Sequence, residues 1–165
     1  MKKTASNYAF IDSQNINLGV QGLGWRLDWR RFRIYLTEKY GVDKAFLFIG
    51  FIPENQPLYT FLQQAGFICV FKPVLQAKKG EPKGNVDADL VLKAMTEHTS
   101  YERAVIVTSD GDFYSLVDHL YHEGKLETVL CPCAEKCSAL LKRTAKERIH
   151  FLDTLRQKLE YQPQK

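Results

Sequence analysis

The chain has 165 residues, of which 45% are hydrophobic and 25% charged, and its formal net charge is +4. These values are typical of one globular domain with a buried core, and we expect a single domain over residues 1–165. No run approaches the roughly 18 apolar residues of a membrane span. The apolar stretch from Tyr8 to Ile11 is too short for the core of a secretory signal. The sequence therefore predicts a cytoplasmic protein that does not enter a membrane.

Short apolar runs alternate with helical patterns along the chain. The pattern predicts strands over residues 8–11, 44–51, 67–71, 103–108 and 126–130. It predicts helices over about 28–40, 55–65, 86–98 and 135–143, and one more after the strand at 103–108. Such alternation favours an α/β fold with a mainly parallel sheet of five or six strands and helices on both faces.

Two parts of the chain do not follow this alternation. Residues 72–85 are rich in Gly, Pro and Lys, which is typical of a mobile surface loop. Residues 149–152 are a short apolar segment that precedes a last helix ending near Tyr161. We expect residues from about 145 to 165 to form a helical extension that packs on the domain.

Acidic residues follow two of the predicted strands, at the point where each strand ends. Asp12 follows the first strand, with Asn15 three residues later, and Asp110 and Asp112 flank a glycine after the fourth strand. Asp87 opens the helix that precedes the fourth strand. Strands one and four of a doubly wound sheet are commonly neighbours at the switch point, where ligands bind at the carboxyl ends. We therefore expect these acids to converge.

Each acid also has a purely structural explanation. Asp12 can cap the loop after its strand, and Asp87 suits the positive end of a helix dipole. Asp89 is expected to pair with Lys93 four residues later. Two acids after the fourth strand are nevertheless more than one helix cap requires, and like charges this close repel unless a cation lies between them.

Clustered carboxylates favour hard cations such as Mg²⁺ or Mn²⁺. A metal held in this way can position water and offset the charge that develops on a phosphodiester. Asn15 can orient Asp12 or the substrate, and Lys83 can contact a phosphate. Basic residues cluster near residues 26–33, 72–83 and 136–148, which would suit a polyanionic substrate.

The four cysteines do not point to a metal. Cys131, Cys133 and Cys137 form a C-x-C-x3-C pattern that matches no common structural zinc site, and no nearby histidine completes a set. Cys69 falls on a predicted buried strand. We therefore expect reduced thiols.

Three segments, in the order FIDSQNIN, KGNVDADLVLKAM and IVTSDGDFYSLV, resemble the motifs of NYN domains, the LabA-like group of PIN-like nucleases. The resemblance covers about residues 7–130. It implies a PIN-like, Rossmann-like three-layer α/β/α sandwich and Mg²⁺-dependent cleavage of RNA. The acids of the family match Asp12, Asp87, Asp110 and Asp112, and its asparagine matches Asn15.

Two positions depart from the family pattern. Many members carry glycine where this chain has Ser109, and many carry a further acid where it has Lys93. Asn15, Lys83 and Ser109 are the predicted substrate contacts, and the four acids are the predicted metal ligands and catalytic groups.

The predicted function is a metal-dependent ribonuclease that hydrolyses RNA phosphodiester bonds, as a monomer or homodimer. An alternative is a non-cleaving RNA- or protein-binding module of the same fold. A third possibility is a phosphotransfer module with an acidic pocket. Against a phosphatase of this kind, Gln14 stands where the general acid is expected, two residues after Asp12.

Overall fold

The structure, a computed structural model, describes residues 6–73, the backbone of residues 75–76 and 82–83, and residues 86–163. The strands in these residues are β1 (Asn7–Asp12), β2 (Val42–Phe51), β3 (Phe67–Pro73), β4 (Leu75–Gln76), β5 (Pro82–Lys83), β6 (Ala104–Val107), β7 (Leu126–Cys131) and β8 (Ile149–Phe151). Strands β4 and β5 form a separate antiparallel hairpin. The other six form one parallel sheet in the order β3-β2-β1-β6-β7-β8, which confirms the predicted parallel sheet.

The α-helices in the same residues are α1 (Ser13–Gln21), α2 (Trp29–Tyr40), α3 (Gln56–Gln64), α4 (Asp87–Thr96), α5 (Tyr114–His122), α6 (Ala139–Ala145) and α7 (Arg156–Leu159). Short 3₁₀ turns occupy Pro53–Asn55, Gly111–Phe113 and Leu152–Leu155. In the part of the chain that the structure describes, no helix is long and apolar enough to cross a membrane.

Alternating side chains of the fully buried strand β1 contribute to a hydrophobic core on each face of the sheet. Tyr8 and Phe10 pack with apolar residues of α4, α5 and α6. Ala9 and Ile11 pack on the other face with residues of α1, α2 and α7. Successive side chains of a strand point to opposite faces, so the middle of a strand covered on both faces is apolar at every position, as in residues 8–11. The result is the expected three-layer α/β/α sandwich.

Strand β1 lies at the centre of the sheet, where its two halves meet. From β1 the chain builds outward through β2 to β3 and then returns to β6 on the other side of β1. The register pairs Ile11 with Val107, so both strands end at the same level. The crevice at the carboxyl ends of such strands is the usual ligand site of open α/β sheets. The next residues along the chain, Asp12 and Thr108, therefore lie side by side at this edge.

Helix α1 is the main difference from the predicted elements. The sequence predicts a loop after the first strand, but residues 13–21 are helical, and only Ser13, Ile16 and Val20 among them are buried. A stripe this narrow gives little apolar periodicity to detect.

Two further segments differ from expectation. The predicted loop at 72–85 begins with the last residues of β3 and contains the hairpin β4–β5, and residues 74, 77–81 and 84–85 lie outside the described part. The apolar segment at 149–152 contributes β8, the edge strand of the sheet, through its pairing with β7. Helix α7 follows, and its Leu159 is buried in the core shared with α1 and α2.

The central position of β6 predicts that replacing an isoleucine there destabilises the protein much more than replacing an isoleucine on the surface. Ile106 in β6 is fully buried, whereas Ile34 on α2 is 51% exposed. We expect Ile106→Ala to lower the free energy of unfolding by about 2–5 kcal/mol, because it leaves a cavity in the core. Ile34→Ala should change it by less than about 0.5 kcal/mol. Urea unfolding followed by circular dichroism measures both values, and equal effects would contradict the position of β6.

Candidate active site

Three carboxylates from two segments meet at the carboxyl edge of the sheet. Asp87 is the first residue of α4, and Asp110 and Asp112 lie in the turn that follows β6. One carboxylate oxygen from each of the three lies within 4.8 Å of the others. A fourth acid, Asp12, lines the same cleft, whose volume is about 1360 Å³. The structure thus brings together the acids of three segments that are far apart in the sequence.

Asp12 is the most buried of the four acids. Its side chain ends β1 and is only 6% exposed. Burial raises the pKa of Asp12 to about 6, and the charges of Asp87 and Asp110 add to the increase. The peptide N–H of Asn15 and the hydroxyl of Thr108 oppose it by favouring the charged form. The largest cause is therefore the loss of water around the carboxylate.

Thr108 connects two of the acids through one hydroxyl group. Its Oγ1 donates to Oδ2 of Asp12 at 3.3 Å and accepts the peptide N–H of Asp110 at 3.2 Å. The residue is fully buried. The sequence analysis did not identify Thr108 as a site residue. The available signal was a hydroxyl at the end of an apolar strand, directly before the acidic turn.

Asp110 makes the capping bond that a purely structural explanation requires. Its Oδ1 accepts the peptide N–H of Asp112 at 2.9 Å, at the start of the 3₁₀ turn. Asp112 itself is exposed. A single cap thus accounts for the first acid of the pair and leaves the second without a structural explanation.

Asp87 is held near other charges of both signs. Burial raises the pKa of Asp87, the charges of Asp110 and Asp112 raise it further, and the charge of Lys72 lowers it. Lys72 lies near the end of β3, so a cation from the outer half of the sheet acts on the acidic cluster. The negative charge at this edge is therefore partly balanced by the protein itself.

Asn15 and Ser109 bind each other. The peptide N–H and the hydroxyl of Ser109 both donate to Oδ1 of Asn15, each at 2.9 Å. A peptide N–H can only donate, so the amide must present its oxygen to Ser109 and keep its NH₂ group for other partners. Asn15 therefore ties α1 to the acidic turn. The side chain of Lys83, the third predicted substrate contact, lies outside the described residues.

Gly111 separates the two acids of the turn because the turn packs directly against the start of α6. A Cβ atom at residue 111 would collide with the side chain of Ser138. Ser138 caps α6 by accepting the peptide N–H of Leu140 at 3.2 Å. Its own N–H donates to the carbonyl of Ser109 at 3.2 Å. The terminus of α6 thus fixes the position of the acidic turn.

Lys93 lies on α4, in the same helix as Asp87. Among the described residues its ion pair is with Glu97, at 3.2 Å, so the predicted pairing with Asp89 is wrong. Its ammonium group also lies 5.1 Å from the ring centre of Phe46. Both contacts hold the side chain along α4.

The four cysteines are free thiols, as predicted. Cys131, Cys133 and Cys137 are buried. The thiol of Cys131 contacts that of Cys137 at 2.7 Å and donates to the carbonyl of Thr108 at 3.2 Å. Within the described residues, the group with metal-ligand spacing is the three acids and not these thiols.

The donors of this group are three carboxylates. Oxygen ligands suit Mg²⁺ and Mn²⁺, whereas zinc favours nitrogen and sulfur. The crowding of like charges, which contributes to the raised pKa values of Asp12 and Asp87, would be relieved by a bound cation. The residues present therefore fit a hard divalent metal.

The contact between Gly111 and Ser138 predicts that a single methyl group disturbs the acidic turn. Gly111→Ala should lower the free energy of unfolding by about 1–3 kcal/mol, because the new Cβ overlaps Ser138. Ser138→Gly removes the overlapping atoms and costs only a few tenths of a kcal/mol as a helix cap. The double variant should regain most of the loss when urea unfolding is measured across the four proteins. Additive losses would contradict the contact.

The raised pKa of Asp12 predicts a pH-dependent effect of Asp12→Asn. The pKa is about 6 in the folded protein and near the ordinary 3.8 when the chain unfolds. The proton on Asp12 therefore makes its full contribution to the free energy of unfolding below about pH 4, and this contribution is lost as the pH rises through about 6.

Without divalent metal, Asp12→Asn should be more stable than the wild type at pH 7 by up to ~3 kcal/mol, and the difference should vanish near pH 4. Urea unfolding at several pH values between 4 and 7 measures it. A difference that does not change with pH would contradict the raised pKa.

Comparison with known proteins supports the same fold and identifies a family. No curated protein matches the chain. The structure is similar to the crystal structure of a protein of unknown function from Vibrio parahaemolyticus, with a TM-score of 0.79, 22% identity, and coverage of 98% of this chain and 99% of that chain. The family model of the NYN domain matches residues 8–153, which include all four acids and Asn15. The chain therefore belongs to the NYN domain family, a family of PIN-like nucleases.

Proposed function

We propose that this protein is a metal-dependent ribonuclease that hydrolyses RNA phosphodiester bonds. The observation that carries the proposal is the meeting of Asp87, Asp110 and Asp112 within 4.8 Å at the carboxyl edge of the sheet. A turn or a helix cap does not require three carboxylates to share one point. Membership of the NYN family, a family of PIN-like nucleases, supports the proposal.

Asp87, Asp110 and Asp112 would hold Mg²⁺ or Mn²⁺. When bound, such an ion activates a water molecule and offsets the charge that develops on the phosphate. Asp12 is the fourth acid, and Thr108 fixes its orientation through Oδ2. Because it lines the same cleft beside the cluster, the Asp12 carboxylate is placed to accept a proton from the attacking water.

Neutral and cationic groups around the cluster suit a phosphate backbone. The NH₂ group of Asn15 can donate to a phosphate oxygen, because the amide oxygen is already bound by Ser109. Lys72 brings positive charge to Asp87, and Arg26 lines the same cleft. Lys83 remains a predicted phosphate contact. RNA is the polyanion that we infer, in keeping with the family.

The ribonuclease proposal predicts that cleavage depends on the cluster and not on neighbouring acids. Wild-type protein should cut RNA with Mg²⁺ or Mn²⁺ and lose the activity in EDTA. Asp87→Asn and Asp112→Asn should lower the rate about a hundredfold or more, since each removes a charged ligand. Asp89→Asn is the matched control, because residue 89 lies on α4 outside the cluster. Gel assays of a labelled RNA and of the equivalent DNA measure these rates.

Thermal unfolding separates loss of chemistry from loss of fold. Mg²⁺ should raise the melting temperature of the wild type and of Asp89→Asn, because a ligand that binds only the folded state stabilises it. The increase should be much smaller in Asp112→Asn. RNA binding without cleavage in any metal would favour the non-cleaving module. Equal activity in Asp87→Asn and Asp89→Asn would exclude the cluster as the active site.

A further inference from the structure

The cleft that holds the acids continues between α1 and α3. Among the residues of α1 that line it, four are spaced at i, i+3, i+4 and i+7, namely Gln14, Asn17, Leu18 and Gln21. Residues at these spacings share one face of a helix. The opposite face carries Ile16 and Val20, which are buried in the core. Helix α1 thus presents to the cleft a face with three carboxamide side chains and one exposed leucine, starting two residues after Asp12.

Three side chains on this face carry a carboxamide group that is available to a ligand. Within the described residues, the side chains of Gln14, Asn17 and Gln21 form no hydrogen bond. Gln14 and Gln21 are exposed, and Asn17 is half-buried. A carboxamide offers one acceptor oxygen and two N–H donors. Asn and Gln are the side chains that pair with the edges of nucleobases through two hydrogen bonds at once. The wall formed by α1 therefore carries donors and acceptors in the combination that a base edge needs.

The opposite wall is apolar and partly aromatic. It includes Ile52, Leu58 and Phe61, which are 37%, 42% and 37% exposed, large fractions for side chains of this size. Aromatic rings in a groove are the usual platforms on which unpaired bases stack. A flat apolar surface across from hydrogen-bonding side chains matches the two chemical surfaces of a nucleobase, its face and its edge.

Positive charge accompanies the aromatic rings. The guanidinium of Arg30 lies over the ring of Phe61 at 5.3 Å, and that of Arg26 lies over the ring of Tyr161 at 4.6 Å. Arg26 and Tyr161 both line the cleft. Arginine beside aromatic side chains suits a single nucleic-acid strand, whose bases stack while its phosphates carry negative charge. Besides the four acids of the site, the charged residues that line the cleft are Arg26 and Asp28, and Asp28 is paired with Arg31 at 3.7 Å. The guanidiniums of Arg26 and Arg30 therefore favour a nucleic acid over an apolar segment of a protein partner.

We propose that the cleft between α1 and α3 is a nucleobase-binding subsite. Gln14, Asn17 and Gln21 contact the edge of a base and Phe61 contacts its face, so the subsite selects an unpaired nucleotide beside the cleavage position. A base inside an RNA duplex offers neither surface to this cleft, because its faces are stacked, its pairing edge is occupied, and its other edge lies in a deep, narrow groove that side chains cannot read. The inference rests on the proposed ribonuclease function, since it assigns what the same cleft holds next to the scissile phosphate.

The test compares a short labelled RNA with the same strand carrying abasic residues, by fluorescence anisotropy in EDTA. Wild type should bind the base-bearing strand about tenfold more tightly than the abasic strand. Phe61→Ala, and the double variant Asn17→Ala with Gln21→Ala, should each remove most of this difference and leave abasic binding unchanged. Gln64→Ala is the matched control, because Gln64 is exposed on α3 outside the cleft.

Equal binding of the two strands by the wild type would overturn the subsite and leave the apolar wall as a surface for a protein partner. A fall in the binding of both strands by the same factor would overturn it as well, because a base-specific contact must distinguish them. Circular dichroism of each variant confirms that the comparison is between folded proteins.

Cleavage of a random-sequence RNA pool separates this inference from the proposed function. Wild type should prefer certain bases beside the cut, and the Asn17→Ala and Gln21→Ala variant should cut with a flatter preference. If the pool is cut with the same preference by both proteins, the subsite is wrong and the ribonuclease stands. If the pool is not cut in any metal but the anisotropy difference is found, the ribonuclease is wrong and the cleft is a base-binding site of a protein that does not cleave RNA.

Discussion

The hydrogen bonds of one threonine hydroxyl connect the fold of this protein to its acidic cluster. Thr108 follows β6 and Asp12 ends β1, so the bond between them exists only because these two strands pair in parallel at the centre of the sheet. The same hydroxyl accepts the N–H of Asp110 and so positions the acidic turn. A shift of the strands by one residue would turn Thr108 to the opposite face and separate the acids.

A second layer of contacts fixes the turn from outside. Asn15 binds it from α1 through Ser109, and Ser138 supports it from α6 at Gly111. The acids are therefore held by elements from both faces of the sheet, although they repel one another. Burial and mutual repulsion keep the pKa of Asp12 above its ordinary value. A folded scaffold that holds repelling charges in place favours the binding of a cation, because a cation removes the repulsion without moving the backbone.

The sequence predicts the sheet and the position of the acids because both follow from short-range patterns. Buried parallel strands are continuous apolar runs, and the residues after them must lie at one edge. Helix α1 was missed since its buried stripe consists of little more than Ile16 and Val20. The roles of Thr108 and Ser138 depend on contacts between segments distant in sequence, and no local pattern encodes them. The cleft between α1 and α3 was missed for the same reason, because its two walls lie in different parts of the chain.

The distance along the chain between Asp12 and Thr108, 96 residues, has a consequence for the newly made protein. Synthesis proceeds from the N-terminus, so β1, β2 and β3 are available well before β6, and the acids after β6 arrive later still. Closing so long a loop is an event that depends on the rest of the sheet and not on local structure. The acidic cluster is therefore assembled only once β6 and the turn after it have been made and β6 has paired with β1, so the segment up to the end of β6 holds Asp12 and Asp87 without the two acids that complete the cluster.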